Sequence, residues 1–253
     1  MKKRLKLQAA LLAKLNRQQK QIQAQQAEIQ ALKRRLSLTD GLVAYYPFDG
    51  DANDASGFGN HGTVKGATLT ADRFGNANSA YQFDGANARI VVSSNPSLNP
   101  SNQLTVAFWL KINRITKNSW APIIYKGNDS NPYKKREYAV WLNKKQYFHF
   151  TSAGDSQDQH CLNSDAVQLG EWIFYTGVID RRNHLMKCYI NGARKTLQND
   201  SYSSFNNGDE ALEFGGKGAK RSWFSSLDGV LDEIRIYNRA LTDIEIQSLY
   251  KQP

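Results

Sequence analysis

Only two cysteines, Cys161 and Cys188, occur in 253 residues. That excludes a disulfide-stapled scaffold and a four-thiolate zinc site. A single bridge, which would suit an exported protein, and a pair of buried thiols both stay open as readings. Long apolar runs are also missing. None approaches the roughly 20 residues needed to cross a bilayer, so no membrane span is expected. Glycine and proline are absent from residues 4–36, and acid nearly so: Glu28 faces ten Lys and Arg within the first 36 residues. This segment therefore supplies almost all of the formal net charge of +10, and the rest of the chain holds 23 bases against 22 acids. A broad phosphate-neutralising face is not implied there, and nucleic acid is not expected as a partner. What the sequence does have is 40% apolar and 11% aromatic residues, enough for a large buried core and too much for a disordered chain.

Residues 4–36 contain eight Gln and are otherwise mostly Leu, Ala, Lys and Arg, all good helix formers. One long helix is expected. Leu15, Ile22, Ile29 and Leu36 recur every seven residues, and Leu11, Gln18, Gln25 and Leu32 form a second such series. These are the a and d positions of a coiled coil. Glu28 then falls at g and Lys33 at the next e, the spacing of an interchain ion pair between parallel helices. Gln18 and Gln25 cost stability but restrict register and oligomer number. Self-association is expected, with a trimer favoured over a dimer; a lone solvated helix is the alternative. A secretion signal in Met1–Leu15 is disfavoured, because Gln8 and Lys14 interrupt the apolar stretch and no small-residue cleavage pattern follows.

After Ser37 the composition turns to Gly, Asp, Asn and aromatics, which sets a helical stalk at 1–37 and a second domain at 41–251. Eleven β-type runs follow: 42–48, 80–83, 89–93, 104–113, 121–125, 137–142, 147–151, 172–180, 185–190, 211–214 and 231–237. Many short strands with Gly and Asn turns predict an all-β, two-sheet antiparallel sandwich. In 104–113, Leu104, Val106, Phe108, Leu110 and Ile112 share one face and are expected inside, with the opposite face largely wet. A terminal helix is signalled by Thr242 as N-cap and Glu245 three residues on, with Ile244, Leu249 and Tyr250 as its apolar stripe.

Four blocks in order resemble laminin-G-like, pentraxin-related jelly rolls of the concanavalin A-like class. They are Gly41-Leu-Val-Ala-Tyr-Tyr-Pro-Phe-Asp-Gly50 with Asp54-Ala-Ser-Gly-Phe-Gly-Asn-His-Gly62; Leu104-Thr-Val-Ala-Phe-Trp-Leu-Lys111; Trp172 to Asp180 with Tyr189-Ile-Asn-Gly192; and Gly229-Val-Leu-Asp-Glu-Ile-Arg-Ile-Tyr-Asn-Arg-Ala-Leu241. The resemblance covers residues 41–251 and implies two curved sheets with a concave face that often receives glycans. It names no ligand, because this fold hosts lectins, adhesion modules, glycosidases and spacers alike.

A retaining glycosidase needs two carboxylates about 5 Å apart. No Glu-x-Asp-x-x-Glu run occurs among the seven Glu, and the neighbours Asp232 and Glu233 should point to opposite faces of a strand. The four His are scattered, so no catalytic residue is assigned. The densest polar cluster is Asp49, Asp51, Asn53, Asp54, Asn60 and His61. Hard oxygens on a bending loop suit Ca²⁺, but Asp54 stands where an EF-hand needs Gly and Asn60 where it needs Glu. The resemblance implies instead a structural calcium held by Asp49, Asp51, Asp54 and Asn60 of the opening segment together with Asp232. Asx turns beside Gly57, Gly59 and Gly62 are the alternative.

Glycan recognition uses aromatic platforms with polar partners. Trp120, Tyr125, Tyr133, Tyr138, Trp141 and Trp223 lie in or beside Asn-, Lys- and Arg-rich stretches. The ligand-binding set taken from them is Trp120, Lys126, Arg136, Tyr138 and Trp223. Together these readings describe a multivalent, non-catalytic protein, extracellular or exposed on a cell or virion, that binds a glycan or other extracellular ligand. A structural head of an appendage or phage fibre is the alternative, and a polysaccharide hydrolase the third.

Overall fold

A computed structural model describes residues 2–115, 120–127, 136–153, 158–162, 166–218 and 225–252. The chain divides into two compact units, Met1–Asp40 and Gly41–Pro253. The first is one helix, α1 (Lys2–Thr39), as its composition dictates. Leu11, Leu15, Ile22 and Ile29, the apolar members of the heptad series described there, are all at least half exposed.

The second unit is a sandwich of two antiparallel sheets. In the first, the order is β13 (Ala193–Asn199), β12 (Leu185–Ile190), β11 (Trp172–Asp180), β6 (Gln103–Arg114), β15 (Asp228–Tyr237), β4 (Ala80–Asp84) and β3 (Thr68–Thr70). There, β1 (Leu42–Tyr46) pairs with the C-terminal half of β15 while β4 takes its N-terminal half. In the second, the order is β10 (Asp158–Leu162), β9 (Phe148–Ala153), β8 (Arg136–Asn143), β7 (Trp120–Gly127), β14 (Leu212–Phe214), β5 (Arg89–Val92) and β2 (Gly62–Lys65).

Alternation places the core. Leu104, Val106, Phe108, Leu110 and Ile112 are all buried between the sheets, where they join Tyr46, Phe83, Ile90, Phe148, Phe150, Tyr175 and Phe214. Burying a side chain of this size contributes about 1.5–3 kcal/mol each relative to exposure. The sheets approach so closely that a Cβ on Gly177 of β11 would stand 2.7 Å from the Phe150 ring of β9. The opposite face of β6 is not wet as expected. Trp109 stacks on Tyr250 of α2 (Asp243–Tyr250) at 5.7 Å, and Thr105 bonds both Arg239 O and Leu241 N. That helix begins with the expected capping box of Thr242 and Glu245. Its buried residues are Ile246 and Leu249, whereas Ile244 is 76% exposed. The inward stripe therefore follows 246 and 249, one helical turn apart, and leaves Ile244 on the outer side.

One irregularity overturns an expectation. On β15, Asp232 pairs with Trp109 and Arg235 with Ala107, so three residues of one strand span two of the other. Glu233 takes up the extra residue with φ of 54°. Leu231 and Ile234 both enter the core. Asp232 and Glu233 therefore lie between successive inward positions, and the bulge turns both carboxylates to the outer face, contrary to strict period two.

Candidate functional site

The acids of the opening segment are absorbed by the chain itself. Asp54 Oδ1 accepts the backbone N–H of Tyr45 and of Ser56, each at 2.9 Å. Its Oδ2 accepts Asn60 N at 2.9 Å and Ser56 Oγ at 2.8 Å. Burial pushes the Asp54 carboxyl up, but these donors outweigh it and hold it below the usual carboxylate range. Asp51 accepts the N–H and the side-chain amide of Asn53. Asn60 donates to Val43 O and Ser97 Oγ, and its backbone carbonyl takes the Tyr46 hydroxyl at 2.6 Å. Turn chemistry thus accounts for Asp51 and Asp54.

Asp232 does not join this group. Its neighbour is Arg73, at 2.9 Å, whose guanidinium also reaches Gln252 O and lies over the rings of Phe74 and Trp109. Asp232 is 1% exposed. Burial, and then the adjacent Glu233 charge, raise its carboxyl to about 7 against the opposing pull of Arg73. Glu233 itself accepts the Tyr45 hydroxyl and pairs with Arg235 at 2.6 Å. Among the described residues, no three His, Cys, Asp or Glu side chains gather as a metal site would require. The expected convergence of Asp49, Asp51, Asp54, Asn60 and Asp232 is not seen among the described residues: the chain's own donors engage Asp51 and Asp54, and Arg73 engages Asp232.

The aromatic expectations divide by sheet face. Tyr138 and Lys126 pair across β8 and β7 and both turn inward. Tyr138 is fully buried with its hydroxyl on Leu98 O. Lys126, equally buried, gives its ammonium to Glu137 Oε2 at 2.5 Å and Gly208 O at 3.3 Å. Burial raises the Glu137 carboxyl, with Lys126 pulling the other way. These two residues are structural, and their place in the ligand set is corrected accordingly.

Trp120 and Arg136 belong to the outer face of the second sheet, where register lines up three rows. Thr63, Val91, Glu213, Tyr125, Ala139 and Thr151 stand opposite one another across six strands. Pro122, Trp141 and His149 form the next row. Trp120 and Asn143 form the third, and Asn143 N bonds Tyr147 O to close the hairpin that carries Tyr147. Tyr125 and Trp141 meet edge to face at 5.4 Å and are nearly fully buried, with Trp120 packed against them. Trp120, Tyr147 and His149 remain half-buried, the Trp120 ring 6.2 Å from Tyr147 and 5.1 Å from His149. Cations lie on the rings behind: Arg136 is 5.2 Å from the Trp141 centroid and Lys217 3.5 Å from that of Tyr125. Such contacts hold a guanidinium or ammonium against an aromatic face by its quadrupole. Trp223 lies outside the described residues, but Ser225 N bonds Trp120 O at 2.9 Å.

This geometry offers a ring-stacking ledge backed by a rigid aromatic cluster. Tyr147 and His149 are absent from the sequence-derived set. The signal for them is the alternation Tyr147, His149 outward against Phe148, Phe150 inward, which period two exposes once the strand is placed. A separate open cleft of about 210 Å³ lies by the start of β11, lined by Gln168, Glu171, Trp172, Ile190, Asn191 and Lys195 among others. Its Trp172 ring is held under Lys111 at 5.3 Å. The Cys188 sulfur is buried 3.4 Å from the Tyr175 hydroxyl, and the Cys161 side chain lies outside the described residues.

The fold is shared with solved structures at low identity. Domain 4 of AbnA, a GH43 extracellular arabinanase from Geobacillus stearothermophilus solved with arabinotriose, is 22% identical with a TM-score of 0.65, covering 83% of this chain and 98% of that one. The ligand binding domain of botulinum neurotoxin serotype D, solved with N-acetylneuraminic acid, is 16% identical with a TM-score of 0.68 over 86% of this chain and 52% of that one. The binding domain of Paraclostridial Mosquitocidal Protein 1 is 19% identical, TM-score 0.68, over 84% and 52%. The chain spans about half the length of these two toxin domains. No curated protein matches the sequence. The family model described as concanavalin A-like lectin/glucanases superfamily, of the laminin G type, matches residues 84–247. Because that match takes in more than half of the sequence, the chain belongs to the concanavalin A-like lectin/glucanases superfamily.

Proposed function

We propose that this protein is a non-catalytic carbohydrate-binding protein of the cell or virion exterior, which takes its ligand on the outer face of the second sheet. The observation that carries this reading is the half-buried group of Trp120, Tyr147 and His149 set on the buried pair Tyr125 and Trp141. Sugar rings present C–H faces that stack on aromatic faces, and a platform already fixed by packing loses little entropy on binding. The arabinotriose complex of the arabinanase domain, nearly all of which this chain covers, supports the reading by analogy of fold. Asp232 is sealed under Arg73 and Glu233 is engaged by Tyr45 and Arg235, so this adjacent carboxylate pair offers no free acid to a substrate.

The exposed Leu11, Leu15, Ile22 and Ile29 of α1 support self-association through a parallel coiled coil, with a trimer favoured. Several heads on one stalk convert weak single-site affinity into avidity. A structural head is the second reading, favoured by the near-complete burial of Tyr125 and Trp141, which leaves packing as the main work of those rings. A glycan array probed with the full chain separates the two. Binding to a defined sugar that Trp120→Ala removes supports recognition, and an empty array overturns it.

A further inference from the structure

Residues 2–20 of α1 present two faces that the coiled-coil seam does not explain. Leu7, Leu11, Leu12 and Leu15 are 74%, 68%, 59% and 56% exposed. At 3.6 residues per turn they fall within an arc of about 140°. Lys2, Lys3, Lys6, Lys14, Arg17 and Lys20, all exposed, fall on the other side, within an arc of about 120°. No acid occurs among residues 1–27, so none of these charges meets an opposite one three or four positions away along the helix. The seam accounts for Leu11 and Leu15 alone. Carried further toward residue 1, its a and d positions are Gln8 and Arg4, so its apolar part ends at Leu11. Leu12 stands at e and Leu7 at g, beside the seam and not in it. Arg4 falls within the apolar arc, where its long stem adds apolar surface while the guanidinium reaches for the boundary.

We infer that residues 2–15 of α1 lie in the plane of an anionic lipid surface, with the leucines among the outer acyl carbons and the lysines against the headgroup phosphates. A basic face behind a leucine face is the pattern of helices that rest in the interface. A nucleic acid or a sulfated polymer would answer the lysines and leave the leucines in water, whereas a bilayer with anionic headgroups answers both. Among the described residues no helix is long and apolar enough to cross a bilayer, so the contact is a peripheral one. Several copies joined along the seam would add such weak contacts into firm retention. The inference uses no residue of the globular unit and stands apart from the carbohydrate site.

The experiment sediments the full chain with vesicles of phosphatidylcholine alone and of phosphatidylcholine with about one third phosphatidylglycerol, at low and at raised salt. Neither lipid carries a sugar ring, so the proposed glycan site does not report. The parent is compared with Leu7→Gln/Leu12→Gln and with Lys3→Gln/Lys6→Gln/Lys14→Gln, because glutamine keeps the helix propensity of the residues it replaces. Circular dichroism and light scattering without lipid follow helix content and oligomeric state. The parent should partition at least about tenfold more strongly onto the anionic vesicles, and each variant should lose at least about tenfold of that binding with its oligomeric state unchanged. Raised salt should weaken the parent's binding. A leucine variant that binds as the parent does overturns the inference and leaves only attraction between a basic helix and any polyanion. Equal binding to both vesicles, or binding to neither, also overturns it. So does a changed oligomeric state in the leucine variant, since Leu7 and Leu12 would then belong to the seam.

Discussion

Arg73 and Asp232, 159 positions apart, meet at 2.9 Å, and this single pair ties the loop before β4 to the bulge of β15 and, through Gln252, to the end of the chain. The carboxylate is buried and its acidity is weakened, from the usual 3.8 to about 7. A carboxyl raised in the folded state favours folding below its unfolded value, and that contribution is lost as pH rises through the folded one.

Stability should therefore fall between about pH 4 and pH 7 by an Asp232 contribution on the order of 4 kcal/mol. Asp232→Asn should remove its share of that fall and leave the same-signed contribution of Glu137, whose carboxyl burial also raises. Asp54, Asp72 and Asp180 are shifted the opposite way, so their contributions are lost only at more acid pH and do not mask it. Thermal melts from pH 4 to 8 on both proteins check this; parallel profiles would refute it.

Removing Asp54 leaves three backbone N–H groups, of Tyr45, Ser56 and Asn60, without their acceptor. At about 1–3 kcal/mol for each buried donor left unmet, Asp54→Ala should cost several kcal/mol. The melting temperature should be the same with added calcium and with chelator, since the donors of Tyr45, Ser56 and Asn60 already engage this carboxylate. A calcium-dependent rise that the variant loses would restore the metal reading.

Lys126 and Glu137 form a buried ion pair, and breaking one side strands the other charge. Lys126→Met should cost about 3–5 kcal/mol, and adding Glu137→Leu should recover most of that. Denaturant midpoints of the single and double variants test the pair.

The stalk should dissociate when its apolar seam is charged. Ile22→Glu with Ile29→Glu should yield monomers in sedimentation equilibrium, with the melting of the globular unit unchanged. A monomeric parent chain would contradict the proposed assembly.

The sandwich was legible because its central strands are apolar-rich runs bounded by turn residues; β8 is buried throughout, and β7 and β11 are buried at all but their first residue. The four strands that sequence patterning misses, β2, β3, β10 and β13, lie at the ends of the two strand orders. An edge strand pairs on one side only and needs little apolar surface; β13 reads Ala-Arg-Lys-Thr-Leu-Gln-Asn and is mostly exposed. The candidate site was half legible. Trp120 and Arg136 are found on the outer face, but loop-like surroundings drew Lys126 and Tyr138 into the set although register turns them inward. Asp232 and Glu233 eluded period two because nothing in their identity announces a bulge; only the pairing with Trp109 and Ala107 shows it.

The central claim is that Trp120 and its outer-face neighbours form the carbohydrate site. Titration calorimetry of the best-bound glycan against the parent chain, Trp120→Ala and Trp172→Ala tests it most directly. Truncating a central aromatic anchor should cost about 2 kcal/mol, roughly thirtyfold in affinity, whereas Trp172 in its separate cleft should be dispensable. Retained affinity in Trp120→Ala, or its loss in Trp172→Ala alone, would contradict the account.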